Sequence, residues 1–370
     1  MNILFLVNHL NVGGISSYLF TLAGGLKQNG HNVYVASSGG ELVEKFSAAG
    51  IKHIAVPLKT KKEISPKIIF SFFKLKNEIS RYDIDLVHSN SRTTQVLGNL
   101  LSRYSGKPHI FTCHGFFKPK LSRRMFPCWG KAMIAISRQV KEHLISDFKL
   151  DDAKISVINN GIDVQSFGDN SSRQKLRDDL GIGDAPLVGI VARLSDVKGH
   201  TYLLQAMRIV VKSFPSAKLL VVGEGKMKGA LVKEADDLGI KNNVIFLPQV
   251  GGTENVLAAM DVFVMPSLQE GLGLALMEAM AQGLAVAGSA VGGIKTLIKD
   301  GYNGLLVEPA DPAALAQAIT RLLSDKRMRD NLGASARKFI ADNFSKEKMV
   351  AETEKVYKKC LEEKEPGSGV

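Results

Sequence analysis

The sequence VFVMPSLQEGLGLALMEAMAQGLAVA, residues 262–287, contains the pattern from which the fold class is inferred. An apolar run at 262–265 leads into a loop with two glycines, a helical segment follows from about residue 272 to 282, and a second apolar run occupies 285–287. Runs that are apolar on both faces are typical of buried parallel strands, which need a crossover helix between them. The stretch therefore predicts a strand–helix–strand unit.

The same alternation of short apolar runs with helical segments extends over most of the chain. It predicts an α/β fold with doubly wound, Rossmann-like parallel sheets. The predicted strands are 3–7, 32–36, 54–56, 86–88, 110–112, 133–136 and 156–158 in the first half, and 187–191, 218–222, 244–247, 262–265, 285–287 and 305–307 in the second.

Length and composition indicate two globular domains. A chain of 370 residues is long for one hydrophobic core, and 45% hydrophobic with 23% charged residues is ordinary for a globular protein. The turn-rich stretch 167–185 is expected to be a linker with a short helix between Rossmann-like domains at 1–166 and 186–344, and a charged helix is expected at 345–363. Ligands of such sheets bind beyond the carboxyl ends of the strands, so we expect a cleft between the domains.

Cysteine spacing and apolar stretches predict a cytoplasmic protein. Cys113, Cys128 and Cys360 are far apart in the sequence, which excludes a disulfide framework or a zinc ribbon and favours a reducing compartment. The N-terminal apolar run has no basic segment or small-residue cleavage site, so it is interpreted as a first strand. The longest apolar stretch, 272–288, contains Glu278 and is interpreted as a core helix.

The net charge of +12 is concentrated in the first half of the chain. Residues 1–166 contain 22 Lys and Arg against 11 Asp and Glu, whereas 167–370 contain 26 against 25. The asymmetry indicates an anionic partner or serves solubility alone. Two basic segments with aromatic residues, 66–81 and 114–131, suit an anionic membrane face or a phosphorylated glycolipid, or they are helices with solvated lysines. Nucleic acid is not expected as a partner, because no recognised binding motif is present.

Two loops at predicted strand ends have the residues of an anion site. Gly13 and Gly14 stand where the first strand turns into a helix, which allows a ligand close to the backbone; a tight turn is the alternative. Arg193 and Lys198 follow the strand at 187–191 and suit a diphosphate clamp, or they are solvated loop cations.

No pattern in the sequence predicts a metal, a cofactor or a covalent nucleophile. The triplet Asp83-Ile84-Asp85 has the form of a metal-binding DxD motif, but it precedes a strand and is interpreted as a solvated turn and strand cap. No His, Cys, Asp and Glu cluster has metal-ligand spacing. The sequence VVGEGKMKG at 221–229 lacks the spacing of a phosphate loop, and no hydrolase nucleophile motif is present.

Two glutamates flank the glycine loop of the opening stretch. Glu270 stands at its mouth, and Glu278 lies about 10–12 Å further along an apolar helix. The amides at 271–274 suit anions, whereas carboxylates accept hydrogen bonds from hydroxyls. A nucleoside diphosphate sugar satisfies both requirements, with its phosphates at the amides and cations and one sugar at each glutamate. The alternative for Glu278 is a solvent-facing edge shared with Gln282.

These residues occur together with several short motifs in a characteristic order. The motifs are VGGI at 12–15, TCHG at 112–115, NNGID at 159–163, ARLSDVKG at 192–199, the Glu-x7-Glu pair, and NGLLVEPAD at 303–311. In this combination the chain resembles the retaining GT-B glycosyltransferases, the glycosyl transferases of group 1. The resemblance implies two facing Rossmann-like domains, a C-terminal helix that returns to the first domain, and metal-independent sugar transfer from a nucleotide donor with retention at the anomeric carbon.

The resemblance also implies roles for the two glutamates. Glu278 would bind the ribose hydroxyls of the donor, and Glu270 would bind the transferred sugar. The backbone that would assist Glu270 is that of Gly271, Leu272, Gly273 and Leu274. Leu272 and Asn159 stand where the family often has Phe and Pro, which affects only the expected shape of their loops.

Further roles are implied for the cations, the N-terminal glycines and one histidine. Arg193 and Lys198 would neutralise the leaving diphosphate. Gly13 and Gly14 would lie beside the donor, and His114 would contact the donor sugar near the reacting centre.

The expected function is transfer of a sugar, with UDP as the favoured nucleotide, to a hydroxyl of a glycan or glycolipid in envelope polysaccharide or lipopolysaccharide synthesis. Backbone groups around 246–250 are expected to contact the base. Because no nucleophile is evident, we expect a front-face mechanism in which the acceptor proton passes to a donor phosphate oxygen. The alternatives are a UDP-sugar 2-epimerase and a non-catalytic nucleotide-sugar-binding protein.

Overall fold

The computed structural model of the chain describes residues 1–60, 65–117 and 127–363. These residues form two compact units. The first comprises Met1–Gly161 together with the chain from residue 346 onward, and the second comprises Ile162–Ser345. Within the described ranges no helix is both long enough and apolar enough to cross a bilayer.

The first unit is built on a seven-stranded parallel sheet of order β3-β2-β1-β4-β5-β6-β7. Its strands are β1 (Asn2–Leu6), β2 (Asn32–Ser37), β3 (Lys52–Ala55), β4 (Leu86–Ser89), β5 (His109–Cys113), β6 (Ala132–Ala135) and β7 (Ile155–Val157). The helices between them are α1 (Gly14–Gln28), α2 (Val43–Ala48), α3 (Pro66–Arg81), α4 (Arg92–Ser105) and α5 (Arg138–Phe148). The strand order reverses beside β1, which places the loop after β1 at the switch point of the sheet.

Strand β1 shows why these strands contain consecutive apolar residues. Ile3 and Phe5 belong to the core on one face of the sheet, whereas Leu4 and Leu6 belong to the core on the other face. Successive side chains of a strand point to opposite faces, and both faces are covered here. From Ile3 to Leu6 both faces therefore require apolar side chains, and the polar residue of this strand, Asn2, stands at its half-buried first position.

The second unit is built on a six-stranded parallel sheet of order β10-β9-β8-β11-β12-β13. Its strands are β8 (Leu187–Val191), β9 (Lys218–Val222), β10 (Val244–Leu247), β11 (Val262–Met265), β12 (Ala285–Ser289) and β13 (Leu305–Val307). The helices are α6 (Arg173–Asp179), α7 (His200–Ser213), α8 (Lys228–Asp237), α9 (Glu254–Ala259), α10 (Leu274–Gln282), α11 (Ile294–Leu297), α12 (Pro312–Ser324) and α13 (Lys326–Asn343).

The predicted α/β class is confirmed, and each predicted strand overlaps an observed one with ends that differ by at most two residues. The opening stretch forms β11, α10 and β12, and β11 pairs with β12 in parallel from Val262↔Ala285. Helix α10 begins at Leu274, two residues later than expected. The reason is Gly273, whose φ of 95° lies in the left-handed region and cannot continue a helix.

The stretch expected to be a linker, 167–185, lies inside the second unit. Arg173 donates to Asp261 over 2.6 Å, and the guanidinium of buried Arg177 lies 3.5 Å from the same carboxylate. Asp261 also accepts a hydrogen bond from the amide of Leu187 at 2.8 Å. Helix α6 is thus a packed part of this unit, because these bonds join it to the starts of β8 and β11.

The C-terminal helix α14 (Lys346–Glu362) belongs to the first unit. Val350 packs against α1 at Gly25, where an added Cβ would lie 2.5 Å from the Val350 side chain. Tyr357 is fully buried, and its hydroxyl lies 2.5 Å from Nδ1 of His88. The helix is therefore held by close backbone packing and by a buried hydrogen bond to β4.

Candidate active site

In the second unit, the loops that follow β8 and β11 leave the sheet at the same edge. The two strands are parallel neighbours, with Val262 opposite Val188, and the order of the sheet reverses between them. The loops also contact each other, because the amide of Leu268 donates to the carbonyl of Val197 at 2.8 Å. Their polar side chains are thus gathered at a switch point, where α/β sheets bind ligands.

Lys198 and Glu270 form an ion pair across these two loops. Lys198 Nζ lies 2.5 Å from Glu270 Oε2, and both side chains are largely buried. Ser267 Oγ also donates to Glu270 Oε2 at 3.4 Å. The sequence assigned these residues to two parts of one ligand, whereas the structure joins them directly. A charge-assisted pair of this kind fixes both groups in place at the edge of the sheet.

Arg193 lies on the same loop as Lys198 but does not join the pair. Its side chain is exposed, and none of the described residues forms an ion pair with it. A guanidinium presented in this way keeps all its donors available to an anion.

Two buried polar side chains beside Lys198 were missed by the sequence analysis. Ser195 Oγ is buried without a hydrogen-bond partner among the described residues, and the buried imidazole of His200 lies beside the Ser195 backbone. Burial, with a smaller contribution from the charge of Lys198, lowers the pKa of His200 to about 4. The imidazole is therefore neutral near pH 7. The signal in the sequence was a histidine directly after the loop glycine, in VKGH at 197–200.

A second glycine pair supports the loop that carries Glu270. An added Cβ on Gly292 would lie 2.1 Å from the carbonyl oxygen of Glu270, and one on Gly293 would lie 2.4 Å from that of Gly271. The amide of Gly293 donates to the Glu270 carbonyl at 3.1 Å. This pair was not among the predicted site residues, and its signal in the sequence is the VGGI at 291–294, which repeats the VGGI at 12–15.

Glu278 is half-buried on α10, and Thr253 holds its carboxylate. Thr253 Oγ1 donates to Glu278 Oε2 at 2.9 Å, a contact that no sequence pattern indicated. The alternative of a solvent-facing edge shared with Gln282 is wrong. Gln282 is buried, accepts a hydrogen bond from the amide of Gly168 at 2.9 Å and donates to Asn170 at 3.1 Å.

In the first unit, His114 follows β5 and is held by Asn90, which follows β4. The His114 Nε2 group donates to Asn90 Oδ1 at 3.1 Å, and the imidazole packs edge-on against Tyr18 with ring centroids 4.7 Å apart. Burial lowers the pKa of His114 to about 3, so the ring is neutral near pH 7. With its proton on Nε2, Nδ1 is a hydrogen-bond acceptor.

Asn90 itself is nearly fully buried, and its Nδ2 group has no partner among the described residues. Buried polar groups are ordinarily paired, so this donor marks a polar position beside His114. No motif in the sequence indicated Asn90.

Gly13 and Gly14 open α1 at the switch point of the first sheet. Gly13 has a φ of 156°, which favours glycine, and an added Cβ at either position would meet no described atom within 4 Å. Packing of the described residues therefore does not require Gly14, in contrast to Gly25 and Gly293. The space beside these glycines leaves the backbone at the start of α1 accessible.

The Asp83-Ile84-Asp85 triplet caps a strand, as predicted. Asp85 accepts a hydrogen bond from the backbone amide of Asn2 at 2.7 Å, and the side chain of Asn2 donates to the carbonyl of Asp83 at 2.9 Å. Over the described part of the chain, no group of three His, Cys, Asp or Glu side chains is arranged to hold a metal ion.

Each of the two parallel α/β sheets has polar residues at its switch point, where such sheets bind ligands. Two family models match the chain. A model described as glycosyl transferases group 1 matches residues 172–339, and one described as glycosyltransferase family 4 matches residues 12–166. The chain belongs to the group 1 glycosyltransferases, which have the GT-B fold, and it is a glycosyltransferase.

Individual relatives extend over most of the chain. An uncharacterized glycosyltransferase of Methanocaldococcus jannaschii is 29% identical over 380 residues, covering 95% of each chain. The UDP-Gal:alpha-D-GlcNAc-diphosphoundecaprenol alpha-1,3-galactosyltransferase of Escherichia coli is 29% identical over 308 residues, covering 79% of each. The crystal structure of Anabaena HepE in complex with UDP and glucose superposes with a TM-score of 0.86 at 22% identity, covering 97% of this chain and 100% of HepE.

Proposed function

We propose that this glycosyltransferase moves a sugar from a nucleoside diphosphate sugar to a hydroxyl of a glycan or glycolipid, with retention at the anomeric carbon. The observation that carries the proposal is the Lys198–Glu270 pair at the switch point of the second sheet, on the loop that leads into the helix of Glu278. One edge of the sheet therefore offers a cation, helix-start amides and two carboxylates. These groups match the phosphates and the two sugars of such a donor.

The proposed roles of the donor-binding residues follow from this chemistry. Glu278, oriented by Thr253, accepts hydrogen bonds from the ribose hydroxyls, and Glu270 accepts them from the transferred sugar. Lys198 and the exposed Arg193 bind the diphosphate. The amides at the start of α10, which begins at Leu274, replace those of 271–274 as the proposed anion-binding group of this turn.

UDP is the favoured nucleotide, and a lipid-linked glycan is the favoured acceptor. The structurally similar HepE was crystallised with UDP and glucose, and the relative from Escherichia coli is named for a UDP-galactose donor and a diphosphoundecaprenol-linked acceptor. These names support a UDP-sugar donor and a lipid-linked acceptor for this chain. The pathway that we propose is envelope polysaccharide or lipopolysaccharide synthesis.

In the proposed reaction, the bond between the anomeric carbon and the diphosphate breaks and leaves negative charge on the phosphate. Lys198 and Arg193 stabilise that charge, which lowers the barrier to cleavage. The acceptor hydroxyl forms the new bond on the same face of the sugar and gives its proton to the departing phosphate oxygen. In the first unit, the proposed role of His114 is to accept a hydrogen bond from a carbohydrate hydroxyl through Nδ1. The proposed role of Gly13 and Gly14 is to let the donor approach the backbone at the start of α1.

Ligand binding and turnover by Lys198→Ala and Arg193→Ala test the proposal. We expect UDP, more than GDP or ADP, to raise the melting temperature of the native protein. Each variant should keep its fold, bind UDP more weakly and transfer sugar about a hundredfold or more slowly, as expected for loss of a charge-stabilising group. Lys212→Ala, on the exposed end of α7, is the control and should behave as the native protein.

Two outcomes favour the alternatives. Release of an epimerised free sugar without any acceptor favours the UDP-sugar 2-epimerase. Binding of nucleotide sugars with neither hydrolysis nor transfer, over a panel of lipid-linked and soluble acceptors, favours a binding protein. Near-native rates in both cation variants would remove the diphosphate site from the proposal.

A further inference from the structure

Helix α3 has a second apolar face that the fold leaves exposed. The side chains that anchor the helix on the first sheet are Ile68, Leu75 and Ile79, and all three are buried. On the opposite side Ile69, Phe70 and Phe73 are 55%, 63% and 54% exposed. The outward side of a surface helix is ordinarily polar, so large apolar side chains there indicate a partner.

The neighbouring helix α4 extends this apolar surface. Leu100 is 39% exposed and Tyr104 is 58% exposed, and the Tyr104 ring lies 5.7 Å from that of Phe72 on α3. We call the five side chains Ile69, Phe70, Phe73, Leu100 and Tyr104 the α3–α4 patch. The two helices that form it pack side by side.

Cations flank the patch. At the spacing of an α-helix, Lys76 lies on one side of the Ile69–Phe70–Phe73 stripe and Lys67 and Lys74 lie on the other. Lys76 Nζ is 5.0 Å from the centroid of the Phe73 ring and 5.9 Å from that of Tyr104. The Lys76 stem thus lies along apolar surface, with its ammonium near rings of both helices. On the other side, Lys67 Nζ donates to the carbonyl of Lys59 at 3.4 Å and Lys74 Nζ donates to that of Ala55 at 2.7 Å, so both ammonium groups stand beside the stripe.

Acidic side chains are scarce on the same two helices. Helix α3 has a single one, Glu78, which lies 3.7 Å from the guanidinium of Arg81, and α4 has none. The patch thus combines apolar side chains with cations that have few acidic side chains near them on these two helices. It is complementary to a surface with an apolar interior and anionic groups at its boundary with water. It is unsuited to a second copy of the chain, because two such patches would bring their lysines together.

We propose that the α3–α4 patch docks the protein on the surface of a bilayer that contains anionic lipids. The apolar side chains enter the boundary between headgroups and acyl chains, and Lys67, Lys74 and Lys76 contact the lipid phosphates. The proposal deepens the proposed function in one respect, since it rests on that function for the idea of a lipid-linked acceptor. The other basic segment, 114–131, does not enter it, because residues 118–126 lie outside the described ranges.

Co-sedimentation with lipid vesicles tests the charge component. We expect the native protein to bind vesicles of equimolar phosphatidylcholine and phosphatidylglycerol, to bind phosphatidylcholine alone far more weakly, and to dissociate at high salt. Lys67→Gln/Lys74→Gln should reduce the partition coefficient about thirtyfold, because each lysine near an anionic surface contributes on the order of a fivefold factor. Lys212→Gln/Lys233→Gln removes the same net charge from exposed positions of α7 and α8 and should have no effect.

A second pair of variants tests the apolar component. Phe70→Ser/Phe73→Ser should reduce vesicle binding at least about tenfold, because two exposed rings no longer leave water. Ile209→Ser/Val232→Ser is the control, since these side chains are exposed to 42% and 40% outside the patch. The UDP-induced rise in melting temperature should be unchanged in all four variants.

Three results would overturn the proposal. They are no binding to the anionic vesicles at low salt, equal losses in the patch and control variants, and self-association in solution that Phe70→Ser/Phe73→Ser abolishes while vesicles remain unbound. Each would leave the UDP shift intact, so failure of this inference is distinguishable from failure of the proposed function.

Discussion

At the residue scale, the second unit contains two glutamates in nearly identical hydrogen bonds. Glu278 accepts from Thr253 at 2.9 Å, and Glu234 on α8 accepts from Thr201 at 3.0 Å. Their positions differ, because Glu278 is on the helix that follows the Glu270 loop, whereas Glu234 lies on another helix. Local geometry alone therefore does not mark the proposed ribose site.

The matched pair gives a direct test of that site. Glu278→Gln should weaken UDP binding about 10–100-fold, because hydrogen bonds to a charged acceptor each contribute about 1.5–3 kcal/mol. Glu234→Gln should leave UDP binding unchanged while having a similar effect on stability. Isothermal titration with UDP and thermal unfolding of both variants measure these effects. Equal loss of affinity in the two variants would contradict the assignment of Glu278.

Asn90 is predicted to position His114. The native histidine, with its pKa lowered to about 3, should not titrate in the pH profile of kcat/KM between pH 5 and 8. Asn90→Asp places a carboxylate 3.1 Å from Nε2 and favours the imidazolium, so the His114 pKa should rise and an acidic limb should appear in that profile. Ser89→Ala, which removes the partner of the neighbouring buried His109, should change stability without adding this limb. An unchanged pH profile of kcat/KM in Asn90→Asp would show that Asn90 does not influence the reaction through His114.

At the scale of elements, the loop between β11 and α10 depends on the start of α11. Gly293 has an ordinary φ of −67°, so its requirement for glycine is purely steric. An added Cβ would lie 2.4 Å from the Gly271 carbonyl oxygen. Because that oxygen belongs to the backbone, the backbone must move to relieve the contact. The second VGGI motif thus acts through the loop that carries Glu270.

Gly293→Ala should therefore displace the Glu270 loop. We expect a destabilisation of roughly 1–3 kcal/mol, as for other overpacked sites, together with weaker UDP binding. Gly229→Ala is the control, because that glycine lies in α8 with open space beside it and should be neutral or slightly stabilising. Urea unfolding and nucleotide titration measure the two effects. Native-like UDP affinity in Gly293→Ala would show that the loop tolerates the shift.

At the scale of the whole molecule, buried neutral histidines make stability depend on pH. Burial lowers the pKa of His109 and His114 to about 3 and that of His88 well below its usual value, and all three lie in the first unit. In the second unit burial lowers the pKa of His200 to about 4. In the unfolded chain these groups titrate near pH 6.5, so below that pH the unfolded chain binds more protons than the folded protein.

The stability that these histidines contribute is fully present above about pH 6.5 and is lost as the pH falls toward their folded pKa values. Each fully buried histidine changes the free energy of unfolding by up to about 1.4 kcal/mol per pH unit in that window. We expect acidification from pH 7 to 5 to lower the unfolding temperature of the first unit more than that of the second. Calorimetry with hydrogen exchange assigns the transitions, and equal shifts in both units would contradict the prediction.

Much of the architecture and many of the proposed site residues could be predicted from the sequence. A strand buried on both faces is apolar over consecutive residues, as in Ile3–Leu6 of β1 and in β11, so its location can be predicted from a short apolar run. The loop residues after β8 and β11 stand at fixed places relative to these strands, which is why Lys198 and Glu270 could be named. A short helix was expected within the linker, but its packing could not be predicted, because turn-rich composition does not record that Arg173 and Arg177 bond to distant Asp261.

The succession of strands and crossover helices and the chemical groups at their ends could be predicted from residue order, because both depend on local pattern. The contacts of Lys198 with Glu270, of Thr253 with Glu278 and of Asn90 with His114 depend on the tertiary structure, since they join loops that are far apart along the chain. The tertiary structure also decides which apolar side of α3 is exposed. Apolar residues occur on both sides of that helix, and only its packing against the sheet determines which side remains at the surface.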